Sequence, residues 1–332
     1  MLDQVINCTE PCHELKQQIA AALWDTPRSE IASLHFFFTY YAKQCELIAL
    51  HEGGTHVSLK THQDIMRIVQ LFKDNRTHDE ILLLTGTSRA DSQRDYSIDL
   101  AARLYLMVEF GNLPYVYSGC KQLEWTQGSL RDFIVERFEK KPELGHDNIK
   151  LEKIFNARNL RKIGGVEVAW TANLADHLRL MKDDTVVAIF HHASFLRRQQ
   201  RDASLYPKEL ITETLNTIAL LFPKWDHDTR AWYLQESSLR GLDTYAIEVG
   251  HLDTDQRQIE NFTYWHDRLV ILKQVFDEAR PNTLQHWWND RRNAVQWYTF
   301  WVAILILILT VFFGLVQSIE GALQVYKAFN PN

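Results

Sequence analysis

The residues with the most chemical potential are His191 and His192, which close an apparent strand two positions ahead of Ser194. Imidazole titrates near neutral pH and can carry a proton in either direction. With Asp176 or Asp184 as an orienting acid, the pair would suit a membrane-tethered hydrolase, and the bland alternative is a polar strand-to-helix junction. A second group, Cys8, Cys12 and His13 with His51, His56 and His62, supplies the side chains that zinc prefers. Its spacing is poor, because the Cys8 and Cys12 pair lacks a second pair and positions 51, 56 and 62 do not share one helix face. Thr85-Gly86-Thr87-Ser88 follows an apolar Ile81 to Leu84 but lacks the Gly-Lys-Ser/Thr ending of a phosphate loop, so it reads as a turn. Neither His-Glu-x-x-His, Gly-x-Ser-x-Gly, Gly-x-Gly-x-x-Gly nor Cys-x-x-Cys occurs. No catalytic residue, cofactor-binding residue, cofactor or metal ligand is therefore assigned.

Charge and cysteine usage narrow the class. The 332 residues carry 36 Lys and Arg against 42 Asp and Glu, a net charge of −6. Glu320 and Lys327 cancel, so the acidic excess belongs to residues 1–292. The tight basic cluster Arg197, Arg198 and Arg201 adjoins Asp202, and no nucleic-acid partner is expected. Four cysteines are too few for a disulfide framework and fit reduced thiols in a cytosolic body. The first 20 residues contain Asp3, Glu10, Glu14 and Lys16, which is unlike a signal peptide.

The elements that would position these groups are mostly helices. Apolar residues recur at helical spacing through residues 12–50 with a break at Pro27, then from Ile65 to Phe72 behind a cap at Ser58 or Thr61, and from Ile98 to Met107. Ser129 opens another helix. Residues 149–162 read as helix, Val166–Trp170 as strand, Asn173–Met181 as helix and Thr185–Phe190 as strand, a small winged-helix-like αβαβ module. Helices follow at Pro207–Pro223 and from Thr229. Phe262, Trp265, Leu269, Leu272 and Phe276 then form a heptad-like stripe, either an internal packing face or a seam between copies. The fold class is α+β, predominantly α-helical, with a long C-terminal helix leading to a transmembrane helix. The expected organisation is an N-terminal helical region 1–145, a mixed module with helices 146–256, membrane-proximal helices 257–292, a span 293–319 and a short tail 320–332.

The span carries the strongest signal. From Trp297 to Val316, 17 of 20 residues are apolar, and Asn293 to Ile319 contains no charged residue or histidine. At about 1.5 Å rise per residue, 20 residues cover roughly 30 Å, the thickness of bilayer hydrocarbon. Trp297, Tyr298 and Trp301 at one end and Tyr326 beyond the other suit the two interfaces. Arg280, Arg291 and Arg292 precede the span and Lys327 follows it, placing the body in the cytosol and predicting a tail-anchored, single-pass protein in a membrane of unstated identity. Gly314, Ser318 and Ala322 recur every four residues, a line along which two such helices could pack. The partners expected are the lipid bilayer, proteins of unknown identity, and a second copy through the 262–276 stripe or the transmembrane helix.

Four stretches together, Ser97–Met107, Gly165–Leu180 with Ala188–Leu196, Thr214–Pro223 and Gln296–Tyr326, resemble a family of uncharacterised filamentous-fungal proteins with an α-rich body and one C-terminal span. That resemblance implies architecture and no particular activity. The aromatic-flanked span with Phe312-Phe313-Gly314 is also distantly similar to CorA-type magnesium channels, which would imply an oligomeric ion channel or transporter. Leu315 and Val316 follow Gly314 where that family has Gly-Met-Asn, and a second span is lacking. Without catalytic motifs, the leading expectation is a tail-anchored protein with a non-catalytic interaction or scaffold body.

Overall fold

A computed structural model of the chain describes residues 2–4, 6, 10–24, 28–50, 59–86, 96–111, 123–139, 141–145, 149–201, 205–279 and 294–329. The chain forms two compact units, one of Met1–Arg161 with Gly165–Glu278 and the other of Lys162–Gly164 with Ala279–Asn332. The first unit, the body, is predominantly helical. Its helices are α1 (His13–Trp24), α2 (His35–Leu50), α3 (His62–Lys73), α4 (His78–Thr85), α5 (Ser97–Leu106), α6 (Leu130–Phe138), α7 (Ala157–Lys162), α8 (Ala193–Arg201), α9 (Lys208–Leu221), α10 (His227–Arg240) and α11 (His266–Glu278). A sheet of β1 (Glu167–Thr171), β2 (Arg179–Met181) and β3 (Val186–Phe190) lies between α7 and α8 in the chain, and the second unit holds α12 (Ala294–Phe329).

Local chemistry explains several boundaries. Thr61 is the cap of α3, where its hydroxyl accepts from Asp64 N–H at 3.3 Å while the Asp64 carboxylate accepts from Thr61 N–H at 2.9 Å. Ile65, Ile68, Val69 and Phe72 then form the buried face of that helix. Ser129 caps α6 by accepting from Asp132 N–H at 3.2 Å. Gly86 ends α4 in the left-handed conformation, so the start of the Thr85-Gly86-Thr87-Ser88 stretch is the expected turn, with Thr87 and Ser88 outside the described residues.

The mixed module departs from the expected αβαβ order at two places. Residues 149–156 are not helical, because their backbone is taken by a distant segment: Leu151 N–H donates to Arg257 O at 2.8 Å and Ile259 N–H to Ile149 O at 3.0 Å. Only Ala157–Lys162 remains helical. Likewise, Asn173 caps no more than a 3-10 turn at Leu174–Asp176, after which Leu178 takes a positive φ of 60° and the chain becomes β2. The free edge of β3 captures it, in antiparallel register with Leu180 opposite Val187. β1 pairs parallel to β3 on the other side, giving the order β1-β3-β2 with β3 central.

Side chains of the 262–276 stripe are all buried in the body, so the stripe is an internal packing face. Phe155 meets Phe276 edge-on at 5.6 Å, and Phe138 meets Trp265 at 6.1 Å.

Two local features carry stability predictions. Gly111 has φ 72°, and a Cβ there would come within 2.2 Å of the Asp99 carboxylate, which is itself buried beside Arg103. Arg103 Nε donates to Phe110 O at 2.7 Å, one residue before Gly111. Gly111→Ala is therefore expected to cost at least about 2 kcal/mol, combining left-handed strain with a clash, as read by urea unfolding. At the β2–β3 turn, Lys182, Asp183 and Asp184 all have positive φ (51°, 52° and 63°). Lys182 is the least suited of the three to that region, so Lys182→Gly is expected to raise stability by about 1 kcal/mol, measured as an upward shift in thermal midpoint.

Candidate functional site

β3 delivers His191 and His192 to the interior of the body. Their rings lie 4.0 Å apart at 30°, with His191 edge-on to Trp170 at 6.4 Å and His192 against Tyr40 at 6.0 Å and Phe190 at 5.6 Å. The residues are only 8% and 4% exposed. Burial pushes the pKa of His191 down to about 4, and burial together with His191 pushes His192 well below the usual histidine range. Both imidazoles are neutral at pH 7.

The acid that joins this pair is neither of the two expected. Asp176 accepts from Asn173 Nδ2 at 2.8 Å and from Arg179 Nη1 at 3.2 Å, while Asp184 sits exposed in the β2–β3 turn. Asp243, 52 residues beyond His191 in the chain, takes the place instead. Its backbone N–H donates to His191 Nδ1 at 3.3 Å, and its carboxylate accepts from Ser194 N–H at 2.7 Å and Tyr245 N–H at 3.0 Å. Tyr233 Oη donates to the Asp243 carbonyl at 2.7 Å. Burial raises the Asp243 pKa, opposed by its bonds from Ser194 and Tyr245. The Asp243 carboxylate, which accepts from Ser194 and from Tyr245 N–H, ties the start of α8 to the 3-10 turn Thr244–Ile247, and it is the Asp243 backbone N–H that meets His191 Nδ1.

A second buried polar group lies between the sheet, α9 and α11. His177 Nδ1 accepts from Phe190 N–H at 3.2 Å, so the ring proton is on Nε2 and faces Thr217 Oγ1 at 2.6 Å. Thr217 in turn donates to Thr214 O at 2.7 Å, and Trp265 Nε1 donates to Thr214 Oγ1 at 2.9 Å. Arg268 Nη1 donates to the carbonyls of Ala175 and His177 and its guanidinium lies 5.1 Å from the Trp265 ring centre. Burial and the Arg268 charge hold the His177 pKa at about 3. Glu213 on α9 accepts N–H bonds from Thr263 (2.8 Å), Tyr264 (3.1 Å) and Trp265 (2.7 Å), filling the approach to α11. His177 and Glu213 carry no local sequence signal, since their partners lie 13 to 52 residues away; Asp243 is legible locally only as the cap of the Thr244–Ile247 turn, and its link to His191 spans 52 residues.

Of the metal candidates, the structure describes Cys12, His13 and His62. His62 is buried, with Nδ1 2.9 Å from Tyr41 Oη, whereas Cys12 and His13 are exposed. Cys8, His51 and His56 lie outside the described residues. Among the described residues, no group of three or more His, Cys, Asp or Glu side chains is placed to hold a metal ion.

The remaining feature is α12, a continuous helix of 36 residues. Its segment Tyr298–Tyr326 is long and apolar enough to cross a membrane, and none of it is buried. Trp297, Tyr298, Trp301 and Val316 all fall within the helix, as do Gly314, Ser318 and Ala322. The helix does not stop at 319 but runs on to Phe329, through much of the stretch expected as a tail. Phe312, Phe313, Leu315 and Ile319 are each more than half exposed.

Fold and site thus define a predominantly helical α+β protein carrying one helix capable of spanning a bilayer among the described residues. No protein-family model, curated protein or solved structure matches the chain.

Proposed function

We propose that this protein is held in a bilayer by α12 and presents its helical body on the cytosolic side as a non-catalytic platform for other proteins. The observation that carries the reading is the unburied apolar surface of Tyr298–Tyr326, which has the length of a span and is covered by none of the described residues of its own unit. The cytosolic placement is supported by Arg280, Arg291 and Arg292 ahead of the helix against Lys327 after its apolar part. The non-catalytic reading is supported by His191 and His192, which are buried among aromatic rings and held neutral, and by His191 Nδ1 meeting the Asp243 backbone N–H and not its carboxylate.

Three natural reporters test the orientation, of which Asn7-Cys8-Thr9 lies outside the described residues. Asn75-Arg76-Thr77 and Asn261-Phe262-Thr263 match the N-glycosylation pattern, and Asn75 and Asn261 are both exposed. In cells that glycosylate secretory proteins, the full chain is expected to migrate unchanged by glycosidase, and protease added outside sealed microsomes is expected to digest the body. Glycan on Asn7, Asn75 or Asn261, or a protease-protected body, would contradict the placement.

A further inference from the structure

From the pattern of residues around α12 we infer that two copies of this chain pair along one face of that helix, in parallel, through a hydrogen-bonding seam. The inference rests on the membrane placement proposed above. Ala303, Thr310, Gln317 and Gln324 recur every seven residues, and Gly314 and Gly321 stand four positions after Thr310 and Gln317, with Leu307 in the corresponding place after Ala303. Steps alternating between four and three residues return to the same side of a helix with a slight left-handed drift, the geometry of a two-stranded coil. The seam from Ala303 to Gln324 is about 32 Å long at 1.5 Å per residue. On the opposite side stand Leu305, Ile308, Phe312, Leu315, Ile319 and Leu323, all bulky and apolar.

The two kinds of residue on the seam ask for the same occupant. Each glycine within a helix is less favourable than alanine, because its backbone loses more freedom on folding. Among the described residues nothing accounts for that cost, since a Cβ added at Gly314 or Gly321 would meet no atom within 4 Å. A glycine there does allow a second backbone to approach closely. The carboxamides of Gln317 and Gln324 are exposed on a helix face that leaves or borders the hydrocarbon, where an amide without a partner is costly. An amide both donates and accepts, so each glutamine can pair with its own copy across a two-fold axis. Thr310 spends its proton on Ile306 O at 2.8 Å and keeps lone pairs on the same face. A self-complementary row of this kind selects a second copy of the chain. Ser318 and Ala322 do not belong to the seam, because steps of four from Gly314 advance about 40° each and carry them toward the lipid side.

The test uses the full chain with one fluorophore, reconstituted at low density into phosphatidylcholine liposomes, with photobleaching steps counted per spot. Wild type is expected to bleach mostly in two steps. The double variant Gln317→Leu with Gln324→Leu, and separately Gly321→Leu, are expected to weaken pairing by about tenfold or more, while Phe312→Leu with Ile319→Leu leaves it unchanged. Single steps in wild type, more than two steps throughout, or pairing in the seam variants equal to wild type would overturn the inference, provided that the protein floats with the liposomes. Failure to float would overturn it together with the membrane placement, and flotation separates the two failures.

Discussion

Glu213→Ala is expected to destabilise the body by about 3–4 kcal/mol in urea unfolding, and Glu213→Gln by about half as much. The Glu213 carboxylate on α9 accepts the N–H groups of Thr263, Tyr264 and Trp265, which lie just ahead of the first residue of α11. Helix starts have N–H groups with no partner inside the helix, and an anion there gains both hydrogen bonds and the favourable end of the helix dipole. Removing a buried acceptor typically costs about 1–3 kcal/mol for each donor left behind. The full sum does not apply, because Thr263 is exposed and Tyr264 half-buried, so water replaces part of what they lose, whereas Trp265 is buried. Glutamine keeps one accepting oxygen and the side-chain shape but loses the charge, hence the smaller effect. Burial raises the Glu213 pKa while the three N–H groups lower it, so the variant series should be run at pH 7.5, where the charge is best retained. A Glu213→Ala loss below 1 kcal/mol would show that α11 is held by Trp265 and Arg268 without this cap.

The second large effect is loss of stability on mild acidification. His177 has a folded-state pKa of about 3 and His191 of about 4, both lowered by burial from an ordinary value near 6.5. Between these limits the unfolded chain binds protons that the folded chain excludes, so stability is complete above pH 6.5 and falls as pH drops toward the folded values. One unit of pH inside that window corresponds to about 1.4 kcal/mol per histidine, so each contributes a loss of roughly 2 kcal/mol at pH 5. Glu213 and Asp243 act in the opposite sense, because their raised pKa values let the folded state take up protons first on acidification. A comparison isolates one histidine from that background: between pH 7.5 and 5, wild type is expected to lose about 2 kcal/mol more than His177→Asn. Parallel stability curves would show that His177 is protonated in the folded state and that its bond with Thr217 does not exclude the proton.

How much of this was legible in the sequence depended on how far apart the partners lie. The helix α12 is written in twenty contiguous residues, and caps at Thr61 and Ser129 are written within four, so local composition was enough for each. The stripe from Phe262 to Phe276 was legible only in part as a helix face, because Leu269, Leu272 and Phe276 lie on α11 whereas Phe262 and Trp265 stand ahead of its first residue. Residues 149–156 look helical by period yet pair with residues 257–259, and no local signal anticipates a backbone contact made over a hundred positions away. Asn173–Met181 likewise begins with a good cap, but the edge of β3 offers its backbone a ladder that a short helix cannot match. The histidine pair was visible as a pair. Its acid was not, because Asp243 reaches it from beyond α9 and α10.

The central claim, that α12 anchors the chain in a bilayer, is tested most directly by alkaline carbonate extraction of membranes from cells expressing the full chain, beside Leu307→Asp with Val311→Asp. Two aspartates near the middle of the span each oppose insertion by about 2.5–3.5 kcal/mol. Wild type is predicted to stay in the membrane pellet, and the aspartate variant to appear in the supernatant with its body folded. Release of wild type by carbonate, or retention of the aspartate variant in the pellet equal to wild type, would contradict the account.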